Sequence, residues 1–338
     1  MVDAVPKLTS NPKTIRYVVD HFSGTTWYRC RVPGLGLAAL GHKIELESTL
    51  NEDDVERCDV IVIERLWEPE ILELVKRANA AGKLTVFDID DDYWCIHPTN
   101  PAYEFWQQPG NLEGLTNVAR ECQVVTVSTD ALAQVIKRFR PTATVLPNMI
   151  PPAYWPAEAK PVKMTDDLFV GWAGSPTHYK DLVEVVRVIP QILAKYSEVE
   201  VLLAGVNPGY FPEHPRIHYL KTVEVDEYAH LLYDFDIGIA PIEETRFNVA
   251  KSDLKLLEYS MIGLPIVASR VVPYEHSLKH GETGLFARNP KDWLKHLSNL
   301  IESPELRVKL ATAARAWAET RTIDRNVGLW ERAYGLTR

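Results

Sequence analysis

The stretch "DVIVIERLWEPEILELVKRANAAGKLTVFDI", residues 59–89, contains the fold in miniature. Residues 60–63 are an unbroken β-branched run, and residues 84–89 are a second, mostly apolar one. Between them Pro69 opens a helical pattern with Ile71, Leu74, Val75 and Ala78 on one face, and Gly82 closes it. A strand with no polar alternation is buried on both faces, and strand, helix and strand in this order predict two parallel strands joined by a crossover helix.

The alternation extends in both directions. Residues 14–22, 31–41, 123–129 and 131–139 continue it through the first half. The proline-rich stretch "IPPAYWPAEAKPVKMTDD" (150–167) then has the composition of a linker. Strand-like runs restart at "LFVGWAG" (168–174) and recur at 199–205, 217–220, 237–242 and 265–269, separated by helical patterns at 179–196, 225–235 and 251–263. The last stretch, residues 290–338, reads as amphipathic helices. This order predicts an α/β protein with two Rossmann-like, doubly wound domains, residues 1–150 and 151–320, followed by a C-terminal helix at 321–338.

The chain has 338 residues, enough for two domains, and its 46% hydrophobic and 25% charged residues are those of an ordinary globular protein. No apolar stretch approaches the ~20 residues that span a bilayer, and the first residues lack the apolar core of a secretory signal, so a cytoplasmic location is expected. Lys and Arg number 37 against 46 Asp and Glu, a net charge of −9, which excludes a wholesale basic nucleic-acid binder. Cys30, Cys58, Cys95 and Cys122 show no C-x-x-C spacing and read as reduced, buried thiols.

Four segments carry polar residues that could do chemistry. In "KSDLKLLEYSMIGLPIVAS" (251–269), Ser252 reads as an N-cap, 253–262 as a helix, Gly263 as its C-cap, and Lys251 and Lys255 either as phosphate ligands at the helix start or as solvated charges. In "GWAGSPTHYKDL" (171–182), Gly171, Gly174 and Ser175 let backbone amides approach a diphosphate, and Lys180 adds a point charge. In "HFSGTTWYRCR" (21–31), Ser23, Gly24 and Thr25 form a small-residue loop at a strand end, with Arg29 and Arg31 positioned to meet an anion or to pair with acids. In "FDIDDDYW" (87–94), Asp88, Asp90, Asp91 and Asp92 repel one another and need a cation, protons or solvent. Trp94, with Tyr103 and Trp106 after it, offers either a stacking face for a sugar or packing.

Taken together, "LKLLEYSMIGLPIVAS", "YEHSLKHGETGLF", "VLPNMI" and the Gly and Lys after the first strand of the second half resemble the retaining, group 1 glycosyltransferases of family 4. The resemblance implies a GT-B fold, two Rossmann-like domains with parallel sheets facing across a cleft, and a C-terminal helix crossing back to the first domain. It implies transfer of a sugar from a nucleotide-diphosphate sugar to an acceptor hydroxyl with retention of configuration. The acceptor class stays open among glycan, lipid-linked glycan, small molecule and modified DNA, and no metal cofactor is expected.

By resemblance Glu258 holds the ribose, and Lys180 and Lys255 stabilise the departing diphosphate. Gly24, Gly171, Gly174 and Ser175 border the donor, while Thr25, Arg29 and Trp94 fall on the acceptor side. Asp90 and Asp91 read as groups that bind or deprotonate the attacking hydroxyl. The family commonly has a Glu eight positions before Glu258, where this chain has Ala250, so Asn248, Lys251 and Ser252 are expected to take over those contacts. Two alternatives are a transferase acting on hydroxymethylated DNA bases and a non-catalytic nucleotide-sugar-binding protein.

Overall fold

The apolar runs become strands and the 3.6-period stretches become helices. The computed structural model describes Thr9 and residues 11–337, and divides the chain into two units. One comprises Met1–Pro151, Ala250–Ser252 and Thr322–Arg338; the other comprises Pro152–Val249 and Asp253–Arg321. Each is α/β.

In the first unit, β1 (Thr14–Val18), β2 (Lys43–Glu47), β3 (Val60–Glu64), β4 (Leu84–Ile89), β5 (Val124–Val127) and β6 (Thr144–Val145) form a sheet in the order β2-β1-β3-β4-β5-β6. All five pairings are parallel, and every residue of β3 is buried, as its apolar run Val60–Ile63 requires, with the terminal Glu64 buried as well. The chain winds from β1 out to β2 and back to β3 on the opposite side. The switch point lies between β1 and β3, so the loops at their carboxyl ends form the natural ligand crevice of this unit.

In the second unit, β7 (Phe169–Ala173), β8 (Glu200–Ala204), β9 (Ile217–Leu220), β10 (Ile237–Ala240), β11 (Ile266–Ser269) and β12 (Leu285–Ala287) are ordered β12-β11-β10-β7-β8-β9, again all parallel. Here the winding reverses between β7 and β10. Trp172, Trp293 and the aliphatic residues of β7, β8 and the flanking helices fill the core.

Two local expectations need correction. The helix read over 179–196 is three pieces: a 3₁₀ segment Pro176–Leu182 and short helices Val183–Val186 and Ile189–Lys195. Pro190 has no amide hydrogen to donate and its ring crowds the preceding turn, so a single helix cannot pass through it. Conversely, the helix read from residue 31 begins at Gly24. Ser23 caps the turn Gly24–Thr26 by accepting from the Thr26 amide, a π-turn spans Trp27–Arg31, and Val32–Ala39 completes it.

The residues after Thr322 join the first unit through a hydrogen bond from the Ile323 amide to the Ile150 carbonyl (2.9 Å), and Trp330 is buried. They pack onto helix Val32–Ala39 at Gly36, where a Cβ would stand 2.7 Å from Ile323 and 3.0 Å from Val327. Gly36→Val therefore overpacks this contact, and urea unfolding should show a loss of ~1–3 kcal/mol.

Candidate functional site

Both switch points carry polar residues, and each unit builds its own constellation. In the first unit, β4 ends in the Asp cluster, and the fold resolves its repulsion by giving each carboxylate its own donors. Asp88, fully buried, is forked by Arg29 (Nε to Oδ1 2.9 Å, Nη2 to Oδ2 2.8 Å) and accepts from Thr126. Asp90 accepts from Thr25 Oγ1 (2.9 Å) and from the Tyr93 hydroxyl (3.2 Å). Asp91 lies 3.4 Å from Lys251, and Asp92 lies 3.4 Å from Arg138. Burial and the neighbouring Asp90 push the Asp91 carboxyl above its ordinary value, against the opposing pull of Lys251.

Arg29 is corrected from an acceptor-side contact to a structural one. Its third nitrogen donates to the Leu146 carbonyl (2.5 Å) and Asn148 Oδ1 (3.1 Å), and at 1% exposure the guanidinium is closed to a ligand. Trp94 is corrected likewise: its indole N–H donates to Thr116 Oγ1 (3.0 Å) and its ring packs 4.7 Å from Phe139. Trp106 is buried against Tyr93 and Trp67.

The sequence reading missed Glu64, Arg65 and Tyr93. Glu64 ends β3 beside the switch point and is fully buried, and Arg65 Nε donates to its Oε1 (2.6 Å). Arg65 sits at φ +45°, among described residues the one non-glycine in the left-handed region, with its amide held by the Asp88 carbonyl (3.0 Å). Strain of this kind persists where the surroundings over-determine it, which is common at functional sites. Arg65 Nη1 donates to the Tyr93 hydroxyl (3.1 Å), and Thr26 Oγ1 stands 3.2 Å from Glu64 Oε2. Thr25, Asp90, Tyr93, Arg65, Glu64 and Thr26 thus close a ring of side chains at the carboxyl ends of β1, β3 and β4. The usable sequence signal was an acid–base pair ending a strand otherwise free of polar residues.

The loop start Gly24 opens onto empty space, with no atom within 4 Å of a hypothetical Cβ. Ser252, read as an N-cap, is not one. The chain leaves the second unit for Ala250–Ser252, Ser252 Oγ accepts from Asn148 Nδ2 (3.0 Å), and helix Leu254–Ile262 starts behind Asp253. Asp253 in turn accepts from Arg321 (3.0 Å) and from Ser277.

In the second unit, Lys255 and Glu258 stand three residues apart on one face of helix Leu254–Ile262, with Glu258 buried. The Lys255 ammonium donates to the Ala173 carbonyl at the end of β7 and lies over the rings of Trp172 (5.0 Å) and Tyr259 (5.8 Å). A Cβ on Gly174 would be 3.3 Å from that ammonium, so Gly174 and Lys255 meet at the carboxyl end of β7. Tyr259, also missed, fixes this approach by accepting from the Ala173 amide (3.0 Å). Ser175 follows, exposed.

Gly171 is not part of this turn. It lies inside β7, where a Cβ would come within 1.9 Å of the Phe235 ring, so packing dictates the glycine. Lys180 is exposed on the 3₁₀ segment and lines a groove with Asp181, Ile242, Glu243, Ser269 and Arg270 at the ends of β10 and β11. Asn248, expected to contact the donor, gives its amide hydrogens to Asp181 Oδ1 (3.0 Å) and the Glu243 carbonyl (2.9 Å), so it fastens the loop 243–248. Asp181 also accepts from the Glu243 amide (2.9 Å).

Against this geometry stand the likenesses to known proteins. Residues 167–303 match the family model "Glycosyl transferases group 1". The constellation around Gly174, Lys255 and Glu258 falls inside the matched residues. No curated protein matches the chain.

Among solved structures, the sucrose-phosphate synthase of Thermosynechococcus elongatus superposes with a TM-score of 0.68 at 12% identity, covering 96% of this chain and 100% of its own. Anabaena HepE, in complex with UDP and glucose, gives 0.65 at 14% identity, covering 96% and 99%. TarM, from S. aureus, gives 0.60 at 12% identity over 81% of this chain, which spans 54% of the length of TarM. These likenesses establish the GT-B glycosyltransferase fold. Among the described residues no helix is long and apolar enough to cross a membrane.

Since Arg29 has a structural role, Arg29→Ala should strand the Asp88 charge in the interior and cost ~3–5 kcal/mol in urea unfolding. A surface contact to substrate would instead leave stability within ~0.5 kcal/mol.

Proposed function

We propose that the chain transfers a sugar from a nucleotide-diphosphate sugar to an acceptor hydroxyl, with retention of anomeric configuration and without a metal. The observation that carries this reading is the Lys255 ammonium beside Gly174 at the carboxyl end of β7, within the segment that matches group 1 glycosyl transferases. A flexible glycine and a cation at a sheet switch point suit a diphosphate, because backbone amides and a point charge neutralise it together.

On this reading the chemistry is mostly electrostatic. Lys255 stabilises the charge that develops as the nucleotide diphosphate departs, with Lys180 as a second cation on the 3₁₀ segment. Glu258 holds the ribose hydroxyls, and a buried carboxylate suits that task because its bonds to hydroxyls are charge-assisted. The acceptor hydroxyl approaches on the face the leaving group vacates, and Asp90 or Asp91 in the first unit receives its proton. The likeness to HepE, solved with UDP and glucose, supports a nucleotide-sugar donor. The acceptor falls in the class of hydroxyl-bearing glycans, lipid-linked glycans or small molecules.

A thermal-shift panel of UDP-, GDP-, ADP- and dTDP-sugars tests the donor, since a ligand binding only the native state raises its stability. One of the four should shift the melting point; no shift from any would remove the reading. Glu258→Ala should weaken binding of the matching nucleotide diphosphate at least ~10-fold by calorimetry, on the scale of one lost charge-assisted hydrogen bond. Lys255→Ala should lower turnover ~100-fold or more while donor affinity falls less. Activity should persist in EDTA, and NMR of the first-formed product should show the anomeric configuration of the donor.

A further inference from the structure

Asp181 places a carboxylate in the interior of the second unit. Its Oδ1 accepts from the Glu243 amide (2.9 Å) and from Asn248 Nδ2 (3.0 Å), both neutral donors, and its Oδ2 faces His178 Nδ1 at 2.7 Å. Among the described residues in contact with this carboxylate, the imidazole is the one that can carry a positive charge. A carboxylate removed from water needs compensation, so it favours the charged form of that neighbour. Nδ1 then donates to Asp181, and Nε2 lies on the opposite edge of the ring. The His178 side chain is 23% exposed against 6% for Asp181, which makes the histidine the outer member of the pair.

His178 closes the first turn after the glycine at the end of β7. Its amide donates to the Ser175 carbonyl (3.1 Å), and its ring stands edge-on to Trp172 with 6.5 Å between centroids. The same indole lies under the Lys255 ammonium (5.0 Å), and a Cβ on Gly174 would meet its outer carbons at 2.7 Å and 2.8 Å. Gly174, Lys255 and His178 therefore gather around one ring at a strand's carboxyl end.

We propose that His178 is a further ligand of the donor diphosphate, its imidazolium donating from Nε2 to a phosphate oxygen, and that Asp181 is the positioning residue that holds it there. This rests on the reading that the diphosphate sits at Gly174 and Lys255. Asp181 also lines the groove at the ends of β10 and β11, and its other oxygen fastens loop 243–248, so one carboxylate joins the phosphate side to the groove wall.

The charges around the pair are Lys180, Glu184, Glu243, Glu244, Arg270 and Arg288 along that groove, with Lys255 across Trp172. Tyr274, on helix Val272–Glu275, is buried, and burial first and the Asp181 charge second keep its phenol neutral. Among the described residues of this cluster His178 is the one imidazole, the side chain that ordinarily changes charge between pH 5 and 8. A bound phosphate holds the proton on the ring. Donor affinity is then full while His178 is charged, and it falls as pH rises through the titration of His178 in the complex.

The nucleotide sugar selected by the panel above tests this, because each of its two phosphates keeps a single charge over the range and adds no titration of its own. Its affinity for wild type, by calorimetry, should fall ~10-fold between pH 6 and pH 8.5, on the scale of one charge-assisted hydrogen bond. His178→Gln should bind at the weaker level at both pH values. Asp181→Asn keeps an oxygen for the ring but loses the charge, so its fall should be complete at a lower pH than in wild type. By NMR the His178 ring should titrate at higher pH once the nucleotide sugar is added, and the corresponding nucleoside, which lacks phosphates, should leave that titration in place. An equal shift with the nucleoside, or a His178→Gln profile that still falls like wild type, would overturn the ligand assignment, and an unmoved Asp181→Asn profile would overturn the positioning role. Binding that is tight but independent of pH in wild type removes this assignment alone, whereas binding of none of the four nucleotide sugars removes it together with the donor reading.

Discussion

A guanidinium sealed inside the first unit holds its polar end together. Arg29 meets Asp88 through two parallel bonds and reaches the Leu146 carbonyl and Asn148 with its remaining nitrogen. Such a pair contributes little net stability compared with apolar packing, yet it cannot lose one partner cheaply, so it fixes geometry more than it adds energy. It joins the helix after β1, the end of β4 and the residues after β6. Because Asp88 is immobilised, Asp90 and Asp91 leave the strand in fixed directions. Asn148, held by Arg29 on its oxygen, uses its nitrogen to hold Ser252, and the adjacent Lys251 is set beside Asp91.

The second unit solves the same problem differently. Helix Leu254–Ile262, which carries Lys255 and Glu258 beside the end of β7, is fastened along its length. Asp253 ahead of it is held by Arg321, Tyr259 in its middle is bonded to the Ala173 amide, and the Met261 carbonyl at its end accepts from the buried Arg315. A cation at the carboxyl end of a helix also suits the helix dipole. Lys255 then lies against Trp172 without drifting.

Charge repulsion explains why the Asp cluster was hard to read. Four carboxylates within five residues require compensation, and the sequence states that requirement without naming the source. The compensating groups come from residues 25, 29, 93, 126, 138 and 251, all of them outside the cluster. The same holds for the glycines. Gly171 and Gly174 look alike in "GWAGS", but one is dictated by the Phe235 ring and the other stands beside an ammonium.

By itself the sequence determined the architecture: β-branched runs bounded by turns and joined by helical stretches can bury their apolar faces only as two doubly wound parallel sheets. It also set the small and charged residues at 23–25, 88–92 and 174–180, at the carboxyl ends of those strands. Tertiary structure alone decided the roles of individual side chains. Arg29 and Trp94 were turned inward by partners over fifty and twenty residues away, and Ser252 was drawn from a helix cap to Asn148. Glu64 and Arg65, lodged at a strand end that reads simply as a boundary, became the centre of a ring. Periodicity is a local property and survives in the sequence, whereas hydrogen-bond partners and burial depend on which strand ends the winding order places side by side.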